Sequence, residues 1–225
     1  MKSALLEFWF FGLKQARASV FAGSFFVLLF ISNHIPLFGL ARYDFLFLSA
    51  ILIQIILYVS KLETKDEVKV IFLFHIIGLM LELYKTSLSI GSWSYPESSF
   101  LKIATVPLYS GFMYAAVGSY INQAWKIFKL ELTNYTHYLL SLIICILIYI
   151  NFFTHHFIYD FRWLLIFAVF AFFWKVRVYF TVTNIIRHLP LNVGFLLIAF
   201  FVWIAENIST YLGAWKYPDQ IHTWE

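Results

Sequence analysis

Charge is scarce in this chain: Asp, Glu, Lys and Arg make up 12% of its 225 residues, about half the roughly 25% of an ordinary soluble domain. Cysteine occurs once, as Cys145 within the apolar run SLIICILIYI, which excludes an internal disulfide framework and a zinc site built from Cys pairs. The chain has no Gly-rich phosphate loop and no nucleophile elbow, so an ATP-driven pump or a soluble-type hydrolase finds no support. The start, MKSALLEFWFFGLKQARASV, lacks the ordered regions of a cleavable signal and suits a short helix lying along the inner interface. What is abundant is apolar: hydrophobic residues reach 62% and mean hydropathy is +0.80, the composition of a polytopic membrane protein. Lys and Arg exceed acids by 16 to 12, and in such a chain they set topology first, so nucleic acid is not an expected partner.

A crossing helix needs about 20 mostly apolar residues. Seven segments qualify, near 19–38, 42–60, 69–91, 104–127, 135–153, 161–181 and 189–213. With the N-terminus inside, inner segments hold eleven basic residues, among them Lys14, Lys61, Lys129, Lys175 and Arg187. Outer segments hold four, Arg42, Lys102, Arg162 and Lys216, and Lys85 falls within a span. That bias predicts a cytoplasmic N-terminus. The seventh segment has no lysine for a Schiff base, which argues against a retinal protein.

The sequence also matches itself. Glu82, Thr86, Gly91, Trp93, Tyr95 and Pro96 align with Glu206, Thr210, Gly213, Trp215, Tyr217 and Pro218 across a two-residue gap. Upstream, ARYDFLFLSAILI resembles FIYDFRWLLIFAV in the same order. Equivalent spans are four apart, which predicts an all-α bundle of two parallel halves, about 1–130 and 131–225, in a single transmembrane domain, with a pseudo-twofold axis along the membrane normal. A four-plus-four plan further predicts an eighth span beyond IHTWE.

The segments LKQARASVFAG, ETKDEVKVIFLFHIIG, ELYKTSLSIGSWSYPE, VPLYSGFMYAAVGSYI and WIAENISTYLGAWKYPDQ resemble the DUF817 family of bacterial integral membrane proteins. The resemblance implies a bacterial inner membrane and supplies no activity. Glu82, Gly91, Trp93, Tyr95 and the TVPLYSGFMY segment are also similar to the carotenoid hydratase and membrane lycopene cyclase group, without the paired acidic motif of the cyclases. That second resemblance implies proton-initiated chemistry on an isoprenoid.

An ionisable residue within a span costs roughly 2.5–3.5 kcal/mol on insertion scales and so faces a partner or a wet cavity. On one helical stripe with Glu82 lie Lys85, Thr86 and, two turns earlier, His75. Glu82, Glu206 and Lys85 are therefore the candidate catalytic groups, and His75, Thr86, Trp93, Tyr95, Thr210, Trp215 and Tyr217 the candidate binding groups. A structural Glu82–Lys85 ion pair, an interfacial aromatic belt and proline-ended turns are the plainer accounts. Asp44 and Asp160 begin outward-facing span ends, where helix capping explains them as well as function does. His34, His155, His156 and Asp160 are weak metal candidates, since adjacent histidines on a helix point about 100° apart. No cofactor is specified by any motif.

Two functions fit: an intramembrane enzyme or binding protein for a lipophilic, isoprenoid-like compound in an outer-side pocket, and a proton-coupled small-solute transporter. A scaffold role is the third. A transporter needs polar groups reaching both faces, and the inner half offers mainly Gln54, His75, Gln123 and Thr183, which favours the outer pocket.

Overall fold

The computed structural model of the chain describes residues 2–135 and 137–220, and side chains from residue 4 onward. Residues 221–225, after which an eighth span is expected, lie outside the described residues. Among the described residues eight α-helices run in order: α1 (Lys2–Ala18), α2 (Val20–Ile31), α3 (Arg42–Val59), α4 (Lys65–Lys85), α5 (Ser110–Phe128), α6 (Tyr138–Thr154), α7 (Arg162–Phe172) and α8 (Leu191–Tyr211). A two-stranded hairpin, β1 (Lys102–Ile103) and β2 (Val106–Pro107), precedes α5. A three-stranded antiparallel meander is formed by β3 (Glu131–Thr133), β4 (Arg177–Thr181) and β5 (Ile186–Pro190).

The structure is thus mostly helical. Helices α3 and α8 are long and apolar enough to cross a membrane, and α1 with α2, bent by 70° between Ala18 and Val20, makes a third if counted as one broken span. The other helices fall short for local reasons. Helix α4 has 21 residues but opens on Lys65, Asp66 and Glu67, where Thr64 and Glu67 close a reciprocal capping box. Helices α6 and α7 have 17 and 11 residues.

One expected helical stretch is corrected. The sixth segment, 161–181, stops being helical after Phe172 and continues as β4. The cause is legible afterwards: Val176, Val178, Phe180 and Val182 alternate with Lys175, Arg177, Tyr179 and Thr181, a period of two in β-branched and aromatic residues. The fourth segment likewise begins as the β1–β2 hairpin, and its helix starts at Ser110.

The chain forms two compact units. The first comprises 1–127 with 204–225, and the second 128–203. In the first, Phe21, Phe25, Leu29, Tyr43, Leu46, Tyr109 and Phe112 form the core. Glycines set the approach of α4 and α5: a Cβ on Gly78 would stand 2.4 Å from the Tyr114 ring, and one on Gly111 would stand 2.6 Å from the His75 backbone oxygen. Glycine at both positions is what lets the two helices approach this closely. The second unit packs Ile144, Phe173 and Val176 against Leu132, Leu140 and Val169.

Candidate functional site

Glu82 sits in the last turn of α4, 2% exposed. The chain leaves the helix at Thr86, whose Oγ1 donates back to the Glu82 carbonyl at 2.8 Å, and turns at Gly91, whose φ of +60° is readily available to glycine. That return brings Trp93 Nε1 and Tyr95 OH to Glu82 Oε2 at 2.6 and 2.7 Å. The Gly78 contact brings Tyr114 of α5 alongside, and its hydroxyl donates to Glu82 Oε1 at 2.8 Å. Both carboxylate oxygens are thereby engaged by uncharged donors.

The second motif repeats the arrangement with fewer donors. Thr210 Oγ1 donates to the Glu206 carbonyl at 3.1 Å, Gly213 turns the chain at φ +74°, and Tyr217 OH donates to Glu206 Oε1. Glu206 is half-buried, and among the described residues its Oε2 accepts no hydrogen bond. Burial and then the Glu206 contact push the Tyr217 phenol well above its ordinary value, and burial does the same to Tyr95, so both stay protonated donors. The two turns meet directly: Ser94 and Lys216 exchange backbone N–H to O bonds of 2.9 Å each way, and Trp93 meets the Tyr217 ring edge-to-face at 6.2 Å. A continuous line of contact therefore runs Glu82, Trp93, Tyr217, Glu206. Trp215 and Tyr95 also pack against the core of this unit.

Lys85 is 2% exposed, with its ammonium 6.0 Å from the Tyr84 ring centroid and its carbonyl accepting from Ser92 N–H at 2.9 Å. His75 is 6% exposed. It is caged by Phe47, Phe72 and Phe112 at 6.4, 6.1 and 4.4 Å between ring centroids, and its Nδ1 has no partner among the described residues.

The two aspartates play different parts. Asp44 does not cap α3. Its carboxylate accepts from Ser99 Oγ, Phe100 N–H and Leu101 N–H at 2.6–2.9 Å, tying down the loop before β1. Asp160 accepts from Asn151 at 3.0 Å and pairs with Arg162 at 2.5 Å. The Asn151 hydrogen bond, then the Arg162 N–H, hold its carboxyl at about 2. His155 and His156 stack at 4.0 Å, and His155 Nδ1 faces the carbonyls of Asn151 and Phe152. His34 stacks on Phe30 and faces its carbonyl oxygen. Among the described residues no three His, Cys, Asp or Glu side chains are grouped to hold a metal ion.

Two residues that the sequence did not single out as site candidates organise the first unit. Arg42, 8% exposed, donates to Ser32 Oγ, Glu97 Oε1 and the carbonyls of Leu29, Leu212 and Gly213 at 2.6–3.4 Å. Glu63, 3% exposed, accepts from Gln54 at 2.5 Å and from Ser119 at 2.7 Å. It borders a cavity of about 40 Å³ shared with Ser119, Gln123 and Arg17, room for a water. Its setting in SKLETKDE reads as a solvated loop, so only Gln54 and Gln123 hinted at a polar inner end.

A family model described as "Protein of unknown function (DUF817)" matches residues 7–225. The uncharacterised protein YoaT of Bacillus subtilis (strain 168) is 49% identical over 221 residues, covering 98% of this chain and 83% of that protein. No solved structure matches the chain. Matched along nearly its whole length, the chain belongs to the DUF817 family.

Proposed function

We propose that this protein is a proton-coupled transporter of a small solute, a seven-span bundle in a bacterial cytoplasmic membrane with its N-terminus inside. The observation that carries the reading is the pair of carboxylate sites at the two ends of α4. Glu63 precedes the helix, and Glu82 with Glu206 lies at its far end. Twenty-one residues of helix are about 31 Å long, close to the thickness of a bilayer core. Ionisable groups kept at such depths mark ion and substrate paths. The shortage of inner polar groups that argued against transport is eased by Glu63 and Ser119, which join Gln54 and Gln123.

The two glutamates divide the work. Glu82, engaged on both oxygens, anchors Trp93, Tyr95 and Tyr114. Glu206, with one oxygen open, exchanges protons or binds the solute. The parallel 4+4 repeat is part of this proposal, supported by the matched Glu–Tyr and Thr–carbonyl bonds and by the reciprocal Ser94–Lys216 pair at equivalent positions. The many apolar side chains exposed on α6 and α8, such as Ile146, Leu147, Phe200 and Phe201, suit a lipid-facing surface.

A second reading has its own support. Glu206 accepts from Tyr217, which Trp93 meets edge-to-face, and the π faces of the two rings would suit a carbocation formed when a carboxylic acid protonates an isoprenoid alkene. The two are separated by reconstituting the protein in liposomes loaded with a pH-sensitive dye and offering a panel of small polar solutes. Solute-dependent proton entry that disappears in Glu206→Gln supports transport. No such entry with any solute, together with an isoprenoid retained by the purified wild type and lost from Glu206→Gln, replaces it with the lipophilic-ligand reading.

A further inference from the structure

We propose that the groove at the C-terminal end of α7 in the second unit holds one anionic phospholipid. The groove has a volume of about 440 Å³, within the roughly 300–1,000 Å³ of small-molecule sites. Its walls are Phe167, Phe170, Phe172 and Trp174, and its polar residues are Asn134 and Lys175. An apolar trough with one cation beside it fits an acyl chain joined to an anionic headgroup. It does not fit a free phosphate, which has nothing to place against four aromatic rings.

The surroundings strengthen the charge match. The chain continues from Lys175 into β4, where Arg177 pairs with Thr133 and Pro190, and Tyr179 with Glu131 and His188. Strand alternation puts Val178 and Phe180 on one face, with Leu132 and Leu189 beside Val178 and Arg187 beside Phe180, and Arg177, Tyr179, His188 and Glu131 on the other. Lys175 and Arg177 thus follow directly on the rings that would hold the chain, and Trp174, 71% exposed, is of the residue type enriched where protein meets lipid headgroups. Zwitterionic phosphatidylcholine presents a quaternary ammonium as well as the phosphate, which two basic residues disfavour.

The inference rests on the inner placement of residues 175–187 in the topology proposed above. The full chain, reconstituted in liposomes, is titrated with brominated phosphatidylglycerol and, separately, brominated phosphatidylcholine, and quenching of Trp174 is read by difference against Trp174→Phe. One lysine near a membrane surface is worth about 1 kcal/mol, so phosphatidylglycerol should be preferred about fivefold, and the preference should vanish in Lys175→Gln. Ala171→Phe, which fills the groove without adding an indole, should remove the preference for phosphatidylglycerol. Equal quenching by the two lipids, a preference that survives Lys175→Gln, or displacement by millimolar inorganic phosphate would each overturn the site. The topology is scored separately, by labelling Thr183→Cys in a Cys145→Ala background with an impermeant maleimide. Labelling from outside refutes the inner placement whatever the lipid result.

Discussion

Removing the Arg42 guanidinium tests whether the second Trp-x-Tyr-Pro turn is held from α3. Arg42→Ala deletes five donor contacts, but their loss is cushioned. Leu212 O keeps Asn33 Nδ2 at 3.1 Å, Gly213 O keeps the Tyr43 hydroxyl at 3.1 Å, and Glu97, with its side chain 36% exposed, finds water. Hydrogen bonds from a charged donor contribute about 1.5–3 kcal/mol each, less where the acceptor keeps a second partner. Three near-ideal bonds, to Ser32, Glu97 and Leu212, discounted for that cushioning, give a cost of about 2–4 kcal/mol. For a chain of this size that lowers Tm by roughly 5–15 °C, read by thermal unfolding of the detergent-solubilised protein. Arg42→Lys, with three donors and no planar fork, should fall between. Because Arg42 and Tyr43 share the Gly213 carbonyl, Arg42→Ala with Tyr43→Phe should cost at least about 0.5 kcal/mol more than the two single changes added together. A Tm drop below about 2 °C for Arg42→Ala, or strict additivity of the pair, refutes the clamp.

Three further outcomes are expected. Gly111→Ala should lower Tm sharply or prevent folding, because the new methyl meets the His75 carbonyl, whereas Gly12→Ala, with nothing within 4 Å, should be neutral or gain up to about 1 kcal/mol; equal effects would break the close-packing account of α4 and α5. A carbon-13 NMR titration of Asp160 should have its midpoint near 2. A depressed folded-state value means that its contribution to the Asn151–Arg162 turn is complete above about pH 4 and fades as pH falls toward 2, so a midpoint near 4 contradicts the hydrogen bonds described. Tyr114→Phe, removing one of three donors to Glu82, should destabilise by about 1.5–3 kcal/mol, and an unchanged unfolding midpoint would remove Glu82 from its anchoring role.

The glutamate motifs were legible in the sequence because a buried acid followed by an aromatic turn is expensive and therefore conspicuous, and its recurrence at Glu206 doubled the signal. Their unequal sets of donors were not. Nothing in the spacing says that Tyr114, 32 residues on from Glu82, would reach its second oxygen. Most helices were also legible from apolar length. The β4–β5 hairpin was missed because mean hydropathy over 161–181 hides a change of period, from helical at Phe167 to alternating at Val176. Glu63 was missed for the opposite reason. It lies among Lys61, Lys65 and Asp66 in a stretch that looks wet, and only the fold turns it inward under Gln54 and Ser119.

The Ser94–Lys216 pair links segments 122 residues apart through two backbone bonds, and such bonds survive every side-chain substitution except proline. They behave as a rivet. Since one turn follows α4 and the other follows α8, neither helix end tilts without dragging its counterpart and the tyrosine that serves the opposite turn's glutamate neighbourhood. A displacement of either turn is thereby passed to the other through backbone alone, without any charge having to travel between them.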